Sequence, residues 1–146
     1  MIDNWPILSI ITFMPLAGVL FLLIIRGDPQ TVEQNSRNVA LWVSTFTFLV
    51  SVVIFIEFDS SKSGYQFEEQ RVWLGNKGIG YHMGVDGISM PFVLLSTFLT
   101  PLAILASWSN ITNRVREYMI AFLILETMMI GMFVSLDMLM FYLFFE

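Results

Sequence analysis

The chain has 146 residues, 56% of them hydrophobic and 13% charged, with a mean hydropathy of +0.74. Soluble domains carry about 25% charged residues, so this composition excludes an ordinary water-soluble domain and indicates an integral membrane protein. The net charge of -5 contains no block of like charges, which argues against a nucleic-acid partner. The absence of cysteine excludes a disulfide framework, a thiolate metal site and a Cys-ligated iron–sulfur cluster, so electron transfer belongs elsewhere.

Residues 5–25 form the first apolar run, free of charge and about 32 Å long as a helix, enough to cross a hydrocarbon core of about 30 Å. It does not read as a signal peptide. The flank before it carries Asp3 rather than a basic residue, the run is too long, and residues 26–38 lack a small-residue cleavage pattern. The second span is predicted over 39–58, the third over about 87–108 and the fourth over 118–136. A fifth begins near Asp137 and is cut off in mid-helix at Glu146, with no Gly, Asn, Pro or basic cluster to close it. Residues 1–146 therefore read as the N-terminal part of one membrane domain of a longer protein.

Between spans two and three lies the long polar segment 59–86. Its pattern is alternating: Tyr65, Phe67, Val72 and Leu74 are predicted to face Ile79, Tyr81 and Met83 across the turn residues Gly75, Asn76, Lys77 and Gly78. That pattern predicts a β-hairpin on the membrane surface, packing over helix ends or touching a neighbouring subunit. The fold class is thus an all-α polytopic transmembrane bundle with a surface hairpin between helices 2 and 3. Arg26 and Arg37 flank the first loop and Arg114 and Arg116 the third, whereas the hairpin balances its bases with Asp59, Glu68, Glu69 and Asp86. The positive-inside bias places the first and third loops on the cytoplasmic or matrix side, and the N-terminus and hairpin outside.

Three acids are the candidate site residues. Carboxylates within membrane spans cost about 2.5 to 3.5 kcal/mol on insertion scales and by default mark ion or proton pathways. Glu146 lies nine residues past Asp137, about 13.5 Å into the fifth helix and close to the midplane. Glu126 reaches a similar depth from the opposite face, as a proton relay or as a buried acid hydrogen-bonded to a neighbour such as Thr127 or to a residue on a helix beyond this chain. Asp137 follows Ser135 at a helix start, where it acts as a relay or as a cap on free N–H groups. His82 is a lone interfacial histidine, without a second His or Cys for a metal site. Pro101 is expected to bend the third span, and the methionines to serve adaptable packing. The run 84–89 lacks a phosphate-loop ending and reads as a helix entry capped by Asp86 or Ser89.

That same run, Gly84-Val85-Asp86-Gly87-Ile88-Ser89, resembles a known family. So do Phe92 to Pro101, Leu136-Asp137, Phe141-Tyr142-Leu143-Phe144-Phe145-Glu146, and the opening Leu8 to Leu16. The family is membrane-arm subunit M of respiratory complex I, the counterpart of mitochondrial NADH dehydrogenase subunit 4, and the resemblance covers essentially the whole chain. It implies an antiporter-like subunit of about fourteen helices with an inverted repeat. Such a subunit translocates protons while NADH reduces quinone. Glu146 matches the family's essential glutamate, paired with lysines on later helices, and Glu126 and Asp137 are similar to acids in many relatives. NADH, FMN, iron–sulfur clusters and quinone are implied elsewhere in the complex, with none held by this chain. The implied partners are other membrane-arm subunits and the lipid bilayer, in a mitochondrial inner membrane or a bacterial plasma membrane. The competing expectations are a subunit of a multi-subunit cation/proton antiporter and a truncated structural scaffold.

Overall fold

The computed structural model describes residues 5–73, 75 and 79–146. Its elements run α1 (Ile7–Ile24), α2 (Pro29–Glu57), β1 (Gln66–Val72), β2 (Gly80–Val85), α3 (Ser89–Ala106), α4 (Val115–Val134) and α5 (Met138–Phe145). Helices α1 to α4 are each long and apolar enough to cross a membrane. They form the expected helical bundle, with α1 and α3 each packed against α2 and α4, and with α5 laid on α4.

Helix α2 departs furthest from the expected bounds, beginning at Pro29 rather than at residue 39. Pro29 occupies the first helical turn, where its fixed φ favours helix and its missing N–H costs nothing. Between Pro29 and the apolar run the helix carries eight polar residues and Val32, so a hydropathy reading finds the span but not the whole helix. At 29 residues, α2 is about 43 Å long and must project well past a 30 Å hydrocarbon core. Helix α4 likewise begins three residues early, at Val115, with Arg114 in a left-handed conformation (φ 52°) at its entrance. The predicted entry to α3 forms a reciprocal cap. Asp86 Oδ1 accepts from the Ser89 N–H (2.7 Å), and the Ser89 hydroxyl accepts from the Asp86 N–H (2.9 Å). These bonds hold the Asp86 carboxyl below the usual carboxylate range, the Ser89 backbone bond contributing most.

The two ends of the bundle differ chemically. At one end the α1–α2 and α3–α4 connections meet: Arg37 donates to the Ile111 carbonyl (2.8 Å) and Arg116 to that of Ile25 (3.5 Å). Arg116 thereby places a positive charge at the C-cap of α1, where it complements the helix dipole, and Arg37 ties α2 to the α3–α4 connection. The hairpin covers the other end. Its strands pair antiparallel, Arg71 opposite Tyr81 and Val72 opposite Gly80, with a bulge between Gln66 and Glu69 around the left-handed Phe67 (φ 55°). From Val72 back to Glu69, which stands opposite Met83, the pairing keeps one register, and the bulge shifts it by one residue so that Gln66 stands opposite Val85. Of the residues predicted to form this hairpin, Leu74, Asn76, Lys77 and Gly78 lie outside the described residues.

Candidate functional site

The interior of the bundle contains two apolar clusters. One, under the hairpin, joins Leu8, Ile11, Ile54, Val93, Ile130 and Val134; the other, towards the arginine end, joins Val19, Leu22, Ala40, Ile104, Met119 and Leu123. Each of the four long helices contributes to both clusters, and apart from Ser36 near the start of α2 the buried polar residues fall in the interval between them. Thr12 does so on α1, Ser44, Thr47 and Ser51 on α2, Ser96, Thr97 and Thr100 on α3, and Glu126 and Thr127 on α4. A polar layer therefore crosses the bundle at mid-depth.

Most hydroxyls of this layer are satisfied within their own helices. Thr12 donates to the Leu8 carbonyl (2.7 Å), Thr47 to Val43 (2.9 Å) and Thr97 to Leu94 (2.9 Å). Ser51 and Thr97 also bond to one another across the α2–α3 interface (2.7 Å). Pro15 and Pro101, buried in α1 and α3, withhold N–H groups from the carbonyls of Ile11 and Thr97, leaving acceptors at the level of the layer. Glu126 differs from its neighbours. It is fully buried, it is the one charged residue type among the buried side chains described, and neither carboxylate oxygen has a hydrogen-bond partner among the described residues. The same holds for the neighbouring Thr127 hydroxyl, so the expected Glu126–Thr127 bond is not formed.

Glu146 occupies a different environment. Helix α5 turns Met140 and Phe144 towards α4 and leaves Phe141, Tyr142, Leu143 and Phe145 exposed. Two residues beyond Phe144 correspond to a rotation of about 200°. Glu146 thus points away from α4, exposed, and does not face Glu126. Their depths nevertheless match. Glu126 lies eight residues from the hairpin-side end of α4 and Glu146 eight residues past the start of α5, about 12 Å in each case.

Asp137 sits at the hairpin end and caps α5: its Oδ1 accepts from the N–H groups of Leu139 (2.9 Å) and Met140 (3.3 Å). His82 pairs with Glu68 on the neighbouring strand (3.0 Å), as an interfacial residue. Among the described residues no group of three His, Cys, Asp or Glu side chains is arranged to hold a metal ion. An open groove of 580 Å³ beside the hairpin, lined by Trp5, Arg71 and Tyr81 among others, includes neither Glu126 nor Glu146.

The family described as "NADH-ubiquinone oxidoreductase chain 4, amino terminus" matches residues 7–135, all four long helices included. The chain belongs to that family. Its relatives include NADH-quinone oxidoreductase subunit M of Rhodobacter capsulatus, 50% identical over 96% of this chain, and the protein of the same name from Rickettsia prowazekii, 43% identical over 97%. NADH-ubiquinone oxidoreductase chain 4 of Arabidopsis thaliana is 45% identical over 95%. The chain spans between 27% and 29% of the length of these relatives. Of the three candidate acids, Glu126 falls within the residues matched to the chain 4 amino-terminal family, and Asp137 and Glu146 follow them.

The hydroxyl layer is what sequence reasoning missed. A signal for it exists: Ser44, Thr47 and Ser51 recur at helical spacing through an apolar run, as do Ser96, Thr97 and Thr100. Hydropathy scoring treats such residues as weak dilution of a span and so passes over the stripe.

Proposed function

We propose that this chain is the N-terminal portion of a proton-translocating membrane subunit of NADH:quinone oxidoreductase, respiratory complex I. The observation that carries the reading is Glu126: a carboxyl group enclosed in a hydroxyl-lined layer, between two apolar clusters, in a chain of the chain 4 family. An acid held in such a place without a partner is costly to stability, and intramembrane acids of this kind serve ion or proton movement. Glu126 is the buried relay in this reading, and Glu146, at equal depth on the outward face of α5, is the carrier that exchanges protons with groups beyond this portion of the chain. Asp137 serves as a cap rather than as a relay.

The subunit works in an energy-transducing membrane, with the arginine end towards the cytoplasm or matrix. NADH, FMN, iron–sulfur clusters and quinone belong to other subunits of the complex. The test is a pair of variants in the intact enzyme, Glu126→Gln and Glu146→Gln, assayed for NADH:quinone turnover, for proton pumping into sealed vesicles and for assembly on native gels. Both are expected to assemble and to lose pumping, Glu146→Gln the more severely. Normal pumping in both would refute the reading. Assembly with antiporter subunits in place of NADH-oxidising ones would move the function to cation/proton exchange.

A further inference from the structure

The connection between α4 and α5 is built into the hairpin. Ser135 forms a β-bridge with Met83, and the Leu136 N–H donates to the His82 carbonyl (2.9 Å), so residues 135–136 act as a short third strand on the free edge of β2. Gly84 brings the strand close enough that a Cβ there would lie 2.6 Å from Leu136 Cδ1. Asp137 completes the junction: while Oδ1 caps α5, Oδ2 approaches the Gly80 N–H at the start of β2 (3.5 Å). One carboxylate thus addresses both the strand and the helix.

The hairpin itself is anchored independently. Glu69 on β1 accepts from the Leu8 and Ser9 N–H groups at the start of α1 (2.7 and 3.0 Å), and the Ser9 hydroxyl bonds to both Glu69 and Tyr81. Helix α5 has a second fixed point where Phe144 packs against Gly131 of α4. Residues 138–145 of α5 are apolar on every face, so sliding them along α4 exchanges one apolar contact for another.

We propose that β2 is the seat that sets the depth of α5, with Asp137 as the positioning residue that fixes the axial register of Glu146. This rests on the reading of Glu146 as a proton carrier, since its depth matters only if it exchanges protons at a defined level. Asparagine at 137 retains the oxygen that accepts from Leu139 and Met140, is as good an N-cap as aspartate and gives up only the long Oδ2 approach to Gly80 (3.5 Å), whereas alanine removes both acceptors.

The experiment uses the intact complex, with nitroxide labels on cysteines replacing the exposed Gln70 of β1 and Tyr142 of α5, and compares Asp137→Ala with Asp137→Asn. The cap lost in Asp137→Ala is expected to change the equilibrium between seated and slipped α5 about fivefold, equivalent to about 1 kcal/mol. A second label separation then appears, displaced by about 1.5 Å per residue of slip or about 5.4 Å per turn. Coupled turnover falls with it, while Asp137→Asn keeps both near the parent values. Gly84→Val, which displaces Leu136 from the hairpin side with Asp137 intact, gives the same second separation. An unchanged separation in both Asp137→Ala and Gly84→Val overturns the seat. Turnover equally low in Asp137→Asn and Asp137→Ala, at unchanged separation, makes the carboxyl itself a proton carrier and overturns the positioning assignment. Normal turnover in Glu146→Gln together with a displaced separation in Asp137→Ala refutes the carrier reading and leaves the seat standing.

Discussion

Glu69→Ala tests how the hairpin holds the bundle. Helix α1 begins after Pro6, which offers no side-chain cap, and the orphan N–H groups of Leu8 and Ser9 are satisfied by Glu69 from the far strand. Removing a capping acceptor costs about 1 kcal/mol. Removing a negative charge from a helix N-terminus costs about 0.3 to 1 kcal/mol more, and the bond from the Ser9 hydroxyl contributes on the order of 1 kcal/mol. These contributions overlap, so the sum is about 2 kcal/mol, or roughly a 30-fold shift in the local opening equilibrium. Hydrogen exchange by mass spectrometry on the intact enzyme should show that acceleration in a peptide spanning residues 5–13. The α4 peptide around Glu126 should exchange as before. Glu69→Gln keeps one acceptor oxygen and loses the charge, so its acceleration should be only about two- to fivefold. Parent-like exchange in Glu69→Ala would refute the cap as the tie between hairpin and α1.

Replacing Glu126 by leucine removes a buried acid without partners among the described residues, and the assembled enzyme should keep or gain stability, by about 1 to 3 kcal/mol, while losing pumping. A lowered thermal midpoint in that variant would mean that the carboxyl is structurally bonded. In Gly131→Ala the new Cβ would lie 2.6 Å from Phe144 Cγ, so overpacking should cost about 1 to 3 kcal/mol, read as a lower thermal midpoint and raised exchange in α5. Asp86→Ala removes the α3 cap at about 1 kcal/mol. Because the folded form holds this carboxyl below its unfolded value, the parent's advantage is full above about pH 4 and disappears as the pH falls through the lowered value. Equal stability of parent and variant at pH 7 would contradict the cap.

The acids show where sequence reasoning stops. Depth along a helix is arithmetic, residues multiplied by rise, so the mid-membrane level of Glu126 and Glu146 could be read from the apolar runs. Facing is a tertiary property. It depends on which side of each helix its neighbours cover, and the structure buries Glu126 inside the bundle while turning Glu146 outward. The hydroxyl layer was invisible for a related reason. Serine and threonine bond back to their own helix and are tolerated anywhere in a span, so only the convergence of four helices at one level makes them a layer.

By itself the sequence determined the class of protein, the spans, the hairpin between the second and third helices, a helix entry capped at Asp86 or Ser89, and the family resemblance that the comparisons bear out, while leaving Asp137 as a cap or a relay. These follow from local composition, periodicity and short-range hydrogen bonding, which a linear chain carries in full. Only the tertiary structure decided the start of α2 beyond its apolar run and the Glu69 cap on α1, 61 residues away in sequence. The same holds for the burial of Glu126 and the insertion of residues 135–136 into the hairpin edge. Apart from the start of α2, each is a pairing between distant segments, and its free energy exists only once both partners are in place.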